Sequence, residues 1–135
     1  MDTLTYPQLI ELATSQDVNK GIIITDNLGK ILFCNNRWLN LCGFNRDEAI
    51  GYTNKILQGP LTEESKKLEI ENSIKAKVPI NIDITNYKKD KTLFNNNLTI
   101  NPVSCGFYAE IQDAGISNYE IAYNKAFDKR TSICA

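Results

Sequence analysis

The chain has 135 residues, of which 42% are hydrophobic, and its formal net charge at pH 7 is −1. This length fits a single domain, and folding would bury about two thirds of the surface of the unfolded chain. The charge balance does not indicate binding to nucleic acid, and no apolar run is long enough to span a membrane. The chain has no histidine and no recognisable catalytic motif. We therefore expect a cytoplasmic protein that is not an enzyme and contacts neither nucleic acid nor a membrane.

The N-terminal part of the chain predicts a helix followed by a β-hairpin. Residues 4–15 contain Pro7 near their start and then clustered apolar residues, which is typical of a short amphipathic helix. Residues 22–25 and 31–34 are rich in β-branched and aromatic side chains and predict two strands. The residues between them are typical of a turn, so the strands form a hairpin.

The middle of the chain predicts three helices. Gly43 should end the first, which starts near residue 35, and Asn45 should cap the second, over residues 45–50. Thr62 is the predicted N-cap of a longer helix that runs to Lys77.

Three further strands follow, over residues 80–86, 92–102 and 107–113, with a tight turn at residues 104–106. Strict alternation places Asn86 on the same face as Ile80, Ile82 and Ile84. The same reasoning places Asn96 on a face with Phe94, Leu98 and Ile100. The last apolar residues, Ile116, Tyr119, Tyr123 and Phe127, keep helical spacing and predict a C-terminal helix.

Two stretches resemble known sequence patterns. Residues 36–51 are similar to the general PAS pattern N-x-x-F/W-x-x-x-x-G-Y/F-x-x-E-x-x-G. Residues 51–60 resemble the signature of the LOV branch of that family, G-x-N-C-R-F-L-Q-G-P, without a gap. The resemblance implies an α+β fold of PAS type, in which helices pack on one face of a five-stranded antiparallel sheet. It also implies a division into an N-terminal helical extension (1–20), a PAS/LOV-like core (21–114) and a C-terminal helix or tail (115–135).

Within the LOV signature the reactive residue differs. Asn54 stands where the family has the cysteine that forms a light-driven bond to flavin, and Lys55 replaces an arginine. The resemblance therefore implies a domain that can bind flavin but cannot form the covalent adduct.

Three amides match the positions that hold the flavin ring in the family, namely Asn86, Asn96 and Gln112. The alternation of the strands independently points Asn86 and Asn96 into the core, where an unpaired amide costs about 1–3 kcal/mol. Amides both donate and accept, so they can match the alternating groups of a flavin edge. The same resemblance implies further cofactor contacts from Thr25, Asn54, Lys55, Leu57, Gln58, Leu98 and Ile100.

Two acidic residues complicate this site. Glu71 occupies a position where the family often has a second phosphate-binding arginine, and an acid there repels phosphate. Strand parity places Glu110 on the face of Gln112, where the family has a glycine close to the ring, unless a bulge turns it outward. The expected cofactor is FMN, with riboflavin or FAD as alternatives.

The resemblance implies a sensory domain that detects blue light or redox state through photoreduction of its flavin. It would signal as a homodimer, or to an effector domain, through its terminal helices. The alternative is a degenerate PAS module without flavin, which serves in dimerisation or partner docking or binds another small ligand.

Overall fold

A computed structural model describes residues 3–115 of the chain. Its elements in chain order are α1 (Tyr6–Ala13), β1 (Gly21–Thr25), β2 (Ile31–Cys34), α2 (Asn36–Cys42), α3 (Arg46–Ala49), a 3-10 helix (Asn54–Leu57), α4 (Glu64–Ala76), β3 (Ile80–Tyr87), β4 (Leu93–Val103) and β5 (Gly106–Asp113). All five strands join in one antiparallel sheet with the order β2-β1-β5-β4-β3. The predicted α+β fold is confirmed. The predicted C-terminal helix lies outside the described residues.

The main core lies between the inner face of the sheet and the helices α2 to α4. Ile23 of β1 and the alternate residues Phe107, Ala109 and Ile111 of β5 form part of this inner face. The helical side contributes buried side chains from each helix, which include Trp38, Cys42, Ala49, Leu57 and Ile70. This arrangement confirms the predicted packing of helices across one face.

A second core lies on the outer face, where α1 covers β1 and β5. Leu9 and Ala13 of α1 pack against Ile22, Ile24 and Tyr108. Strand β1 is therefore buried on both faces, and all five of its residues are buried. The N-terminal helix thus packs on the face opposite to the other helices.

Asn35 connects the two cores. Its Oδ1 accepts hydrogen bonds from the backbone N–H of Trp38, as the N-cap of α2, and from Ile22 in β1, both at 2.9 Å. Its Nδ2 donates to the carbonyl of Ala13 at 3.0 Å, at the end of α1. A buried amide that uses both ends in this way fixes α1, β1 and α2 relative to one another.

The start of α4 differs from the prediction. Glu63, not Thr62, is the N-cap residue. The Thr62 hydroxyl instead donates to the Thr85 carbonyl at 2.7 Å and accepts from the Gly59 N–H at 2.9 Å. The Glu63 carboxylate accepts from the Thr85 N–H at 2.9 Å. Thr85 lies on the edge strand β3, so these side chains satisfy backbone groups that lack a strand partner.

None of the helices within residues 3–115 is both long enough and apolar enough to cross a membrane.

Candidate functional site

A cavity of about 620 Å³ opens between the inner face of the sheet and α4. Its inner wall is apolar and is formed by Ile23, Ile70, Ile74, Ile100, Phe107 and Ala109. Its rim is polar and includes the β1–β2 turn, the 3-10 helix and lysines of α4. An apolar interior of this size with a few polar groups is typical of a small-molecule site.

The predicted site residues fall into three groups. Thr25, Asn54, Lys55, Gln58 and Ile100 line the cavity. Four others are buried in the same core but are not among the residues that line the cavity, namely Leu57, Leu98, Asn86 and Asn96. Gln112 is exposed. The structure therefore brings the first group together at one cavity and places the amide pair deeper in the fold.

Asn54 is the first residue of the 3-10 helix, whose N-cap is Thr53. The Thr53 hydroxyl accepts from the Lys55 N–H at 3.3 Å and so fixes the start of this turn. Asn54 lines the cavity, and its Oδ1 is buried with no donor among residues 3–115. A buried acceptor without a donor costs about 1–3 kcal/mol, so this atom is a ready contact for a ligand that carries an N–H or O–H group.

Asn86 and Asn96 point into the core, as the alternation of their strands predicts, and are 1% and 0% exposed. Asn96 Nδ2 donates to Asn86 Oδ1 at 2.9 Å, and Asn86 Nδ2 donates to the Thr85 carbonyl at 3.1 Å. Asn96 Oδ1 is left as a second buried acceptor without a donor in the described part of the chain. The two amides thus satisfy each other in part and leave one acceptor open.

The predicted orientation of Gln112 is wrong. Strand β5 pairs with β4 without a break in register, and Gln112 lies opposite Asn97 on the outer face. Ile111, which is 0% exposed, occupies the inward position instead. Because Phe107, Ala109 and Ile111 all point inward, strand parity turns Gln112 away from the cavity. The alternation of these apolar residues is visible in the sequence and favours an inner face without Gln112, but the apolar Tyr108 on the other parity makes the signal ambiguous.

The same register settles the position of Glu110. It shares the outer face with Gln112, as parity predicts, but this face is away from the cavity, and no bulge is needed to turn it outward. Its carboxylate lies 3.7 Å from Lys20 Nζ. Ala109 lines the cavity in its place. The sequence left open whether Glu110 lies beside the ring or points outward, and the register of β5 places it on the outer face.

The rim of the cavity carries four lysines and one acid. Lys55 Nζ lies 3.5 Å from the Glu71 carboxylate, and Lys67 Nζ lies 3.0 Å from Glu64. Lys75 and Lys77 also line the rim. The sequence identified Lys55 and Glu71 but not the contribution of Lys77, which it predicted as the last residue of the helix and which is the C-cap residue of α4.

The two buried cysteines of the core, Cys34 and Cys42, are not activated as nucleophiles. Burial raises the pKa of Cys42 to about 12, and the nearby Lys88 only partly opposes this effect. Burial likewise raises the pKa of Cys34, against the lowering effect of Arg46. Both thiols stay protonated at neutral pH, and a protonated thiol is a poor nucleophile.

Comparison with known proteins identifies the family. A family profile described as PAS domain matches residues 19–115. The chain is 35% identical over 102 residues to a blue-light photoreceptor of Listeria monocytogenes, with 73% of the chain and 40% of the relative covered. It is 42% identical over 73 residues to a blue-light-activated histidine kinase of Brucella ovis, with 54% of the chain and 15% of the relative covered. The chain thus spans less than half the length of these relatives.

Solved structures agree on the fold. The LOV domain of the Erythrobacter litoralis EL346 blue-light activated histidine kinase superposes with a TM-score of 0.65 at 21% identity, covering 70% of this chain and 94% of that one. The PAS domain of the fruit-fly ELK potassium channel superposes with a TM-score of 0.73 at 22% identity, covering 82% and 98%. The sheet order, the helices on its inner face and the profile match lead to one conclusion: the chain belongs to the PAS domain family.

Proposed function

We propose that this chain is a LOV-type sensory domain that holds a flavin without a covalent bond, in the cavity between the sheet and α4. The observation that carries the proposal is Asn54 Oδ1, a buried acceptor in the cavity wall that has no donor within residues 3–115. The similarity to blue-light photoreceptors supports the same function.

The residues present fit the ring of a flavin. The apolar wall of Ile23, Ile100 and Ala109 suits a flat aromatic ring system. Asn54, Gln58 and Thr25 would contact it from the rim, and the open acceptor of Asn96 would take part if the ligand extends past the lined cavity. A flavin would supply absorption of blue light and one-electron redox chemistry.

The side chain at residue 54 determines whether a bound flavin can form a covalent bond to the protein at this position. In place of a thiol it presents a carboxamide, which is not a nucleophile and forms no bond to a ring carbon. The amide can donate through Nδ2 or accept through Oδ1. It can therefore satisfy a neighbouring ligand atom both before and after that atom gains a proton. Reduction of the ligand, by light or by the redox state of the cell, would change the hydrogen bonds of Asn54 and the position of the 3-10 helix.

The output of the domain is also a proposal. The relatives are longer than this chain, and the Brucella ovis relative is described as a histidine kinase. We expect the domain to act on an effector domain, or as a homodimer, through its terminal segments. Helix α1 supports this role because it packs directly on β1 and β5, and β5 has Ala109 in the cavity wall.

A second candidate is a PAS module without flavin. Ile111 occupies the inward position on β5 that the sequence assigned to an amide, and Asn86 and Asn96 already bond to each other. Such a module would serve in partner docking. It would purify without the structured blue absorption band of a protein-bound flavin.

The photochemistry of Asn54→Cys tests the proposal. Loaded with flavin, the natural protein should keep its blue band under illumination unless an electron donor is added. Asn54→Cys should lose that band reversibly as the new thiol bonds to the flavin. A variant that binds flavin but does not respond would show that residue 54 is not next to the ring. A reversible loss in the natural protein would show that another thiol reaches it.

A further inference from the structure

The lysines at the rim of the cavity fall into two groups, those with an ion-pair partner and those without one in the described part of the chain. Lys55 and Lys67 are each within 3.5 Å of a carboxylate, from Glu71 and Glu64 respectively. Lys75 and Lys77 also line the rim, and neither has an ion-pair partner among residues 3–115. The free positive charge of the rim therefore lies at the C-terminal end of α4, opposite Asn27 and Leu28 of the β1–β2 turn.

We propose that Lys75 and Lys77 bind the anionic group of the ligand, and that Lys55 does not. This inference rests on the proposed function and specifies it further, because it assigns a phosphate subsite for a flavin with a phosphorylated side chain. An anion at Lys55 would have to displace the Glu71 carboxylate or stay close to it. At a protein surface, two like charges repel each other about as strongly as two opposite charges attract at the same distance. The repulsion from Glu71 thus opposes most of what Lys55 could contribute.

The backbone around Lys77 makes this end of the helix suitable for an anion. A helix C-terminus carries partial negative charge on its last carbonyls, which disfavours an anion. Here the Ser73 carbonyl accepts from the Val78 N–H at 3.1 Å and the Ile74 carbonyl from the Lys77 N–H at 3.3 Å. Lys77 has the left-handed backbone of a C-cap residue, with φ of 53°. The capped carbonyls reduce the opposing charge, and the cap fixes the direction from which Lys77 projects.

The test compares the dissociation constants of riboflavin and FMN, which differ only by the phosphate. Titration calorimetry of apo-protein gives the ratio of the two constants for the natural chain and for Lys75→Gln, Lys77→Asn and Lys55→Gln. Lys91→Asn is the matched control, because Lys91 is also an exposed lysine with a left-handed backbone, at φ 74°, and does not line the cavity.

We expect FMN to bind more tightly than riboflavin in the natural chain. Lys75→Gln and Lys77→Asn should each reduce this preference by about fivefold, the upper range for an exposed ion pair. Lys55→Gln and Lys91→Asn should leave it unchanged. Two results would overturn the phosphate subsite and leave the proposed function standing. One is a loss of the FMN preference in Lys55→Gln but not in Lys75→Gln and Lys77→Asn. The other is equal binding of FMN and riboflavin by the natural chain. Failure of the natural chain to bind either flavin would instead overturn the proposed function. Far-UV circular dichroism of each variant confirms that it is folded.

Discussion

Replacement of Asn54 by leucine should stabilise the apo-protein but weaken ligand binding. Asn54 Oδ1 is buried without a donor among residues 3–115, and such an atom costs about 1–3 kcal/mol. Leucine has nearly the same shape and no polar atom. The substitution should therefore raise the free energy of unfolding of the apo-protein by about 1–2 kcal/mol, since some of the gain is lost to imperfect packing.

Asparagine should be the better residue for ligand binding because it makes a hydrogen bond to the ligand. A net hydrogen bond contributes about 1 kcal/mol, so Asn54→Leu should weaken riboflavin binding by about fivefold. A ligand stabilises the folded state in proportion to the logarithm of its concentration over its dissociation constant. Saturating riboflavin should accordingly stabilise Asn54→Leu less than it stabilises the natural chain.

Urea unfolding followed by far-UV circular dichroism measures both effects, with and without riboflavin. Asn40→Leu, on an exposed position of α2, is the matched control and should change stability by less than about 0.5 kcal/mol in both conditions. A clear destabilisation of apo Asn54→Leu would refute the reasoning, because it would mean that the amide is satisfied in the empty protein.

Three further predictions concern neighbouring residues. Asn86→Leu should lower the free energy of unfolding by about 1–3 kcal/mol because it leaves Asn96 Nδ2 without an acceptor. The double variant Asn86→Leu with Asn96→Leu should recover much of this loss. A double variant whose loss of stability equals the sum of the two single losses would contradict the pairing. Gln112→Ala should have a riboflavin dissociation constant within about twofold of that of the natural chain, because Gln112 is exposed. A tenfold loss of affinity in calorimetry would show that Gln112 contacts the ligand. For Glu63, burial raises the carboxyl pKa, but the hydrogen bond from the Thr85 N–H and the charge of Lys66 outweigh it, so the folded pKa lies below its usual 4.5. The resulting stability is present above pH 4.5 and is lost as pH falls through the folded pKa. Glu63→Gln should therefore be less stable than the natural chain at pH 7 and nearly as stable once the pH is below the pKa of Glu63 in the folded protein. A stability difference that does not change with pH would show that ionisation of Glu63 is not its cause.

Local patterns predicted most of the fold. The β-branched run of β1, the turn before β2 and the glycine that ends α2 each depend on a few neighbouring residues, and each was found where the sequence indicated. The inward direction of Asn86 and Asn96 also followed from simple alternation, because β3 and β4 have a polar outer face.

Strand β5 was harder because it is covered on both faces. The outer face carries Tyr108 beneath α1, and the inner face carries Phe107 and Ala109. Both parities therefore present apolar residues near the start of the strand, and the sequence assigned Gln112 to the cavity face. Knowledge that α1 packs on this sheet face would have resolved the ambiguity.

Long-range contacts explain the remaining differences. The Thr62 hydroxyl bonds to Thr85, 23 residues away, instead of capping its own helix. The bond between Asn86 and Asn96 depends on the register of β3 and β4. Lys75 and Lys77 are adjacent to the cavity only because the end of α4 reaches the β1–β2 turn. None of these contacts leaves a local signal in the sequence.

Equilibrium dialysis of the apo-protein against riboflavin tests the central claim most directly. The account predicts one bound flavin per chain, a structured blue absorption band in the protein compartment and complete release of the flavin when the protein is denatured. Equal riboflavin concentrations in the two compartments at saturating protein would contradict it, and so would flavin that stays attached to the denatured chain.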